Sequence, residues 1–342
     1  MSRIHQRKQS HVDVALNKDI SYHRSSGLER YAFIHNALPD LDFKEIDTSA
    51  VFLGKKIQLP LIISGMTGGH ALGARINRNL AMAAEKTGIA MGIGSQRIAL
   101  EHEDMHDMVS SSFDVRKYAP SIPLLANLGA AQLNKGYGLK ECRQVVEQIN
   151  ADALVFHLNP LQEVIQGGDV DWKGILPKIG RIVKALDVPV IVKEVGFGIS
   201  DEVGRRLDSV GVHAIDVSGS GGTSWAAIES RQGSMRRRML GRRFWDWGIP
   251  TAEALQMNKG RRTKLIAGGG IRSGQDMAKS IALGADYCTM ASPFLKAAAD
   301  SPRKVMELIL FLELELRTAM FGIGVKDLKM LKGTPSLRRL TP

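Results

Sequence analysis

Cysteine is almost missing from the chain: Cys142 and Cys288 are the two in 342 residues. One falls in a predicted helix and the other in a predicted strand, which excludes a disulfide framework and a metal site built on paired cysteines. Aromatic residues amount to 6%, so the ring platforms on which nucleic-acid bases stack are poorly supplied. No apolar run approaches the ~20 residues that span a bilayer, and the start, MSRIHQRKQSH, lacks the apolar stretch of a secretory signal. The expectation from these absences is a soluble, cytoplasmic protein whose partners include neither nucleic acid nor membrane.

What is present is an excess of positive charge. The formal net charge is +11, with the densest cluster at 236–243 (RRRMLGRR) and further basic residues at both termini. Charge of this sign draws anions, and clusters without interleaved aromatics suit anionic small molecules better than a polynucleotide track. Residues 1–55 are polar and basic, then mixed. They read as an N-terminal extension that covers the main domain and supplies ligand contacts, while 326–342 read as a basic C-terminal tail.

Between them, over 56–325, apolar and β-branched-rich segments recur at 57–63, 89–93, 123–128, 153–158, 188–192, 212–217, 264–267 and 285–290. Helical patterns at 71–87, 139–150, 172–186, 201–210 and 274–283 alternate with them, and 305–320 reads as a closing helix. Strand alternating with helix implies a parallel sheet, and eight such units imply a closed (β/α)8 TIM barrel rather than an open sheet. Active sites of such barrels lie at the C-terminal ends of the strands. Those ends are glycine-rich or polar in nearly every case: SGMTGG from Ser64, GSQR from Gly94, NLG from Asn127, KEVG from Lys193, SGSGGT from Ser218, GGGIR from Gly268, and Ala291 with Ser292.

One stretch organises the rest, ALVFHLNPLQE at 153–163. Four apolar residues read as a strand buried on both faces, and the strand stops at His157, Asn159, Gln162 and Glu163. Pro160 lacks a backbone donor and biases Asn159 away from helix, so the chain opens there and points polar side chains at one strand end. At the seventh tip, backbone donors and Arg272 precede a helix starting near Ser273, an arrangement suited to phosphate. Lys193 either stands as a fixed cation in the site or pairs with a carboxylate in the barrel core. After strand six, 219–250 form the longest excursion, a lid over an anionic substrate, a solvated charged face or an oligomer contact.

ISGMTGGH, GSQR, HLNPLQE, KEVG and DVSGSGGTSW, in this order and on these strands, resemble the type 2 isopentenyl-diphosphate isomerases, the FMN-dependent kind. The resemblance runs from RKQSH at 7–11 to the eighth tip, with one departure: Ser10 stands before His11 where the family usually carries an acidic residue. It implies interconversion of isopentenyl and dimethylallyl diphosphate, reduced FMN with NADPH as reductant, and Mg²⁺; the apolar and aromatic loop residues Phe244, Trp245 and Trp247 add the expectation of a homo-oligomer, tetramer or octamer. It places FMN at Ser64, Gly65, Met66, Thr67, Ser95, Asn127, Lys193, Ser218, Thr223, Gly270, Ile271, Arg272, Ala291 and Ser292. It places the diphosphate substrate at Arg7, Lys8, His11, Ser95, Gln96, Arg97, His157, Asn159 and Gln162, and the metal at Glu163. Gln162 and His157 are its candidate catalytic residues, the first orienting the reacting end and the second donating to the diphosphate.

The nearest rival is an FMN-dependent 2-hydroxy-acid oxidase or dehydrogenase. Such chemistry needs a base, commonly a histidine, where this chain has GGGIRSG at the seventh tip. A cysteine nucleophile after strand six, needed by nucleotide dehydrogenases of the barrel class, is also missing from SGSGGTSW.

Overall fold

The computed structural model describes residues 3–101 and 111–340, with side chains from Gln9 onward. Its strands are β1 (Tyr31–Phe33), β2 (Ala50–Phe52), β3 (Lys55–Ile57), β4 (Leu61–Ile63), β5 (Ala90–Gly92) and β6 (Leu124–Gly129). They continue with β7 (Ala153–Leu158), β8 (Val190–Glu194), β9 (Ala214–Asp216), β10 (Lys264–Ala267), β11 (Tyr287–Met290) and β12 (Leu337–Arg339). The eight strands β4 to β11 close into a parallel barrel in chain order, with β11 paired back to β4. The chain is a TIM barrel.

Strand β7 shows why these apolar runs become strands. Leu154 and Phe156 join the layer between strands and helices, while Ala153 and Val155 point into the barrel interior, so both faces are buried. The helix Ala71–Thr87 turns Ile76, Leu80, Ala83 and Ala84 inward and stops at Gly88, whose φ of 66° favours a residue without a Cβ. The closing helix Pro302–Phe321 packs on that helix and on Gly274–Ala282.

The segment expected as one strand over 57–63 divides in two. β2 and β3 form an antiparallel hairpin through Leu53 and Gly54, both at positive φ, and Pro60, which has no backbone donor, separates β3 from the barrel strand β4. Phe52 and Ile57 of this hairpin seal the bottom of the barrel, the Phe52 ring lying 4.8 Å from that of Tyr287. Sequence periodicity had no means of separating a plug from a stave.

The N-terminal helix Arg3–Asn17 leans on the helices Trp225–Ser230 and Ser292–Asp300. The chain then crosses the strand tips, where Tyr22 donates its N–H to Gly222 O and Ala252 donates to Ser26 O. The C-terminal residues are tied in as well, because β12 pairs antiparallel with β1. No helix among the described residues is long and apolar enough to cross a membrane.

Candidate active site

A cavity opens at the C-terminal ends of the barrel strands. All fourteen residues expected to hold the flavin line it: Ser64, Gly65, Met66, Thr67, Ser95, Asn127, Lys193, Ser218, Thr223, Gly270, Ile271, Arg272, Ala291 and Ser292. His11, Arg97, His157, Asn159, Gln162 and Glu163 line the same cavity. Gln96 does not: it is fully buried, its Oε1 accepting from Asn127 N–H at 3.0 Å and its Nε2 donating to Val145 O at 2.9 Å and Gln148 Oε1 at 2.8 Å. The first bond ties the tips of β5 and β6 together, and the other two tie them to the helix Leu139–Gln148. The side chains of Arg7 and Lys8 lie outside the described residues.

The end of β7 passes directly into the helix Pro160–Gln166, which starts with proline at its first position and carries Gln162 and Glu163 on one buried side. Asn159 Nδ2 lies 3.1 Å from Gln162 Oε1 and 3.0 Å from Glu163 Oε1. Gln162 Nε2 donates to Glu229 Oε1 at 3.2 Å. A carboxylate only accepts, so this bond fixes which end of the Gln162 amide is which. His11 Nε2 lies 3.1 Å from the same Glu229 oxygen, and the His11 ring stands edge-on to Trp225. His157 Nδ1 lies 2.8 Å from Asn127 Oδ1, an acceptor that keeps a proton on Nδ1 in the neutral ring.

Cations surround this cluster. Arg97 bonds through Nε to Glu101 and through one terminal nitrogen to Asp169, each at 2.7 Å. Lys193 Nζ donates to Glu194 O at 2.8 Å, and burial lowers its pKa against the pull of Asp216 and Glu194. Asp216 is pushed up by burial, with Ser218 and Thr289 donating to its oxygens. Lys193 thus stands in the cavity wall and feels Asp216 and Glu194 through space, with no ion pair among the described residues. Arg272, lining the far wall, donates to Ile271 O and forms no ion pair among the described residues.

The flavin residues fit a phosphate-bearing ring cofactor on two observations. The β10 tip leads into the helix Gly274–Ala282 with Ser273 as its cap, and the Arg272 guanidinium beside it makes no ion pair among the described residues, Asp276 instead accepting its backbone N–H at 3.0 Å. Glu163 fits a magnesium site in donor type: each oxygen accepts one bond, from Asn159 Nδ2 and Asp169 N–H, and retains a second lone pair. The tip glycines answer to a nearer neighbour than a ligand. A Cβ on Gly65 would meet Ile93 O, and one on Gly269, at φ 91°, would meet Gly219 O. Adjacent tips therefore pack backbone to backbone.

Four side chains belong to the site without having been legible as such: Gln132, Asp169, Trp225 and Glu229. None stands at a strand tip: Gln132 and Trp225 line the cavity, while Asp169 and Glu229 lie behind its wall and reach it through their bonds to Arg97, Glu163 and Gln162. The spacing SW before AAIE, continuing the sixth tip, was the available signal for Trp225 and Glu229.

The sequence matches the family described as FMN-dependent dehydrogenase over residues 1–114 and 137–338. An isopentenyl-diphosphate delta-isomerase of Nostoc sp. is 47% identical over 340 residues, covering 98% of this chain and 96% of the relative. One of Synechococcus sp. is 48% identical over 342 residues, covering 98% and 97%. Among solved structures, mandelate oxidase with (S)-mandelic acid superposes with a TM-score of 0.66 at 19% identity, covering 98% of this chain and 97% of that one, a likeness of fold. With near-full-length identity of this size, the chain belongs to the isopentenyl-diphosphate delta-isomerases of the FMN-dependent type.

Proposed function

We propose that the chain interconverts isopentenyl diphosphate and dimethylallyl diphosphate by a 1,3-proton shift, with reduced FMN and Mg²⁺ bound and NADPH as reductant. The observation that carries this reading is one cavity with two anion-receiving walls: the β10 tip with Arg272, and across the barrel mouth Arg97, His157 and Glu163. The first suits the phosphate of a flavin and the second a diphosphate.

Reduced FMN, when bound, supplies an electron-rich ring that stabilises tertiary cationic character and exchanges a proton at a ring nitrogen. Glu163 would hold Mg²⁺, which would offset negative charge on the diphosphate. Arg97 offers phosphate oxygens a planar fork, and His157 donates to the diphosphate when protonated. Gln162 does not titrate, so its part is to orient the hydrocarbon end, in a position fixed by Asn159 and Glu229. Val12 and Ala15 of the N-terminal helix present apolar surface to the cavity and exclude water from it. The same helix carries Arg7 and Lys8, which we assign to the diphosphate.

The rival oxidation of a 2-hydroxy acid needs a base at the β10 tip; the histidines that line the cavity, His11 and His157, stand on the N-terminal helix and β7. Self-association is part of the proposal, supported by the exposed stripe Leu310, Phe311 and Leu314 on the closing helix. Offering the flavin-loaded, dithionite-reduced protein isopentenyl diphosphate with Mg²⁺, and the oxidised protein a panel of 2-hydroxy acids, tests the reading. Dimethylallyl diphosphate as product supports it, and 2-oxo acid formation with no isomerisation replaces it with an oxidase.

A further inference from the structure

Asp169 stands one residue beyond a pair of glycines and bonds at once to both charged members of the diphosphate wall. Its backbone N–H donates to Glu163 Oε2 at 2.6 Å. Its carboxylate receives Arg97 at 2.7 Å, Gln132 Nε2 at 3.0 Å and Lys135 Nζ at 3.3 Å, and its carbonyl receives the Trp172 indole N–H at 3.1 Å. Gly168 has to be small, since a Cβ there would collide with the same Glu163 oxygen. Arg97 is gripped from a second side by Glu101, which leaves one terminal nitrogen without a hydrogen bond among the described residues. A guanidinium held by two carboxylates on two edges keeps its plane, and its remaining edge has a fixed direction.

We propose that Asp169 is a positioning residue that fixes the Arg97 guanidinium and the Glu163 carboxylate at one spacing, so that a diphosphate and its divalent cation are received together. The inference rests on the diphosphate reading of this wall. Without the Asp169 charge, Arg97 keeps Glu101 as its partner and swings about that bond, and its third nitrogen loses its aim. The loss falls on binding of the charged end, which is the same in substrate and transition state, and so appears in KM more than in kcat.

The test uses flavin-loaded protein and inorganic pyrophosphate with Mg²⁺, titrated by calorimetry, beside steady-state kinetics with isopentenyl diphosphate. Asp169→Asn, which retains the backbone donor to Glu163, is expected to raise both the pyrophosphate Kd and the KM by about tenfold while kcat stays within about threefold. In an Arg97→Gln background the same substitution is expected to change the Kd less than about twofold, because the group it positions is gone. Asp169→Glu, which keeps the charge but moves it outward, supplies a second folded variant and is expected to weaken binding less than Asn does. If Asp169→Asn and Asp169→Glu both bind Mg-pyrophosphate as the parent does, the positioning role is wrong and the diphosphate wall stands. If the effects in the two backgrounds are equal and kcat falls in step, Asp169 is merely structural. A parent protein that binds no Mg-pyrophosphate overturns the inference and the reading beneath it together.

Discussion

Gln162 owes its place to two neighbours, Asn159 presenting an N–H₂ to its oxygen and Glu229 a carboxylate to its nitrogen. An amide locked at both ends acts through where it sits. Gln162→Ala is therefore expected to lower kcat by about 100-fold with flavin affinity unchanged, read by steady-state assay and flavin titration; turnover equal to the parent's would remove Gln162 from the mechanism. Glu194 makes a different prediction. Burial pushes its carboxyl up to about 7 although Val195, Gly196 and Phe197 all donate N–H groups to it. Between its ordinary value of 4.5 and about 7 the folded chain keeps a proton that the unfolded chain has released. The stabilisation this provides is complete below that window and is lost as pH rises through it. Thermal melts taken from about pH 5 to about pH 8 are expected to show a Tm that falls less steeply with pH in Glu194→Gln than in the parent. An identical slope would mean that the carboxyl titrates at its usual value.

At the scale of elements, the hairpin of β2 and β3 is the part of the fold that closes the barrel from below. Phe52 is fully buried there against Tyr287, whose hydroxyl donates to Val51 O. Phe52→Ala is expected to cost about 3–5 kcal/mol, seen as an earlier midpoint in denaturant with an unchanged slope, while the cavity at the other end keeps its flavin affinity. The staves themselves were readable from sequence, because a strand buried on both faces has to be a short continuous apolar run, as at β4 and the first four residues of β7. The helix Ala71–Thr87 was readable to the residue, since its apolar spacing ends at Gly88. The hairpin was not, because KKI joins the apolar run of β4 with only Gln58, Leu59 and Pro60 between them. Nor was the pairing of β1 with β12, whose partners lie at opposite ends of the chain. Local pattern carries no information about such distant register.

Across the whole molecule, eight repeated strand and helix units were enough to indicate a closed barrel, and barrel geometry then told which residues share a rim. The rim residues at the strand tips were legible in this way, and their assignment to flavin came from the resemblance, while Asp169, on a return loop, and Glu229, on the short helix Trp225–Ser230, were not legible. Glycine at the tips was legible as a pattern but not as a cause, since Gly65 and Gly269 serve contacts between neighbouring tips. The net charge of +11 acts at this scale too. A field of that sign is expected to speed capture of a diphosphate, so raising salt from about 0.05 M to about 0.3 M should lower kcat/KM several-fold with kcat nearly constant. A flat kcat/KM would assign the surface charge no part in capture.

The most direct test of the central claim is an anaerobic incubation of the purified protein with isopentenyl diphosphate, FMN, Mg²⁺ and dithionite in D₂O, followed by NMR. Dimethylallyl diphosphate carrying deuterium, formed with reduced flavin and not with oxidised flavin, is the expected result. Isomerisation that proceeds equally with oxidised flavin, or a yellow protein that forms no dimethylallyl diphosphate, would contradict the account.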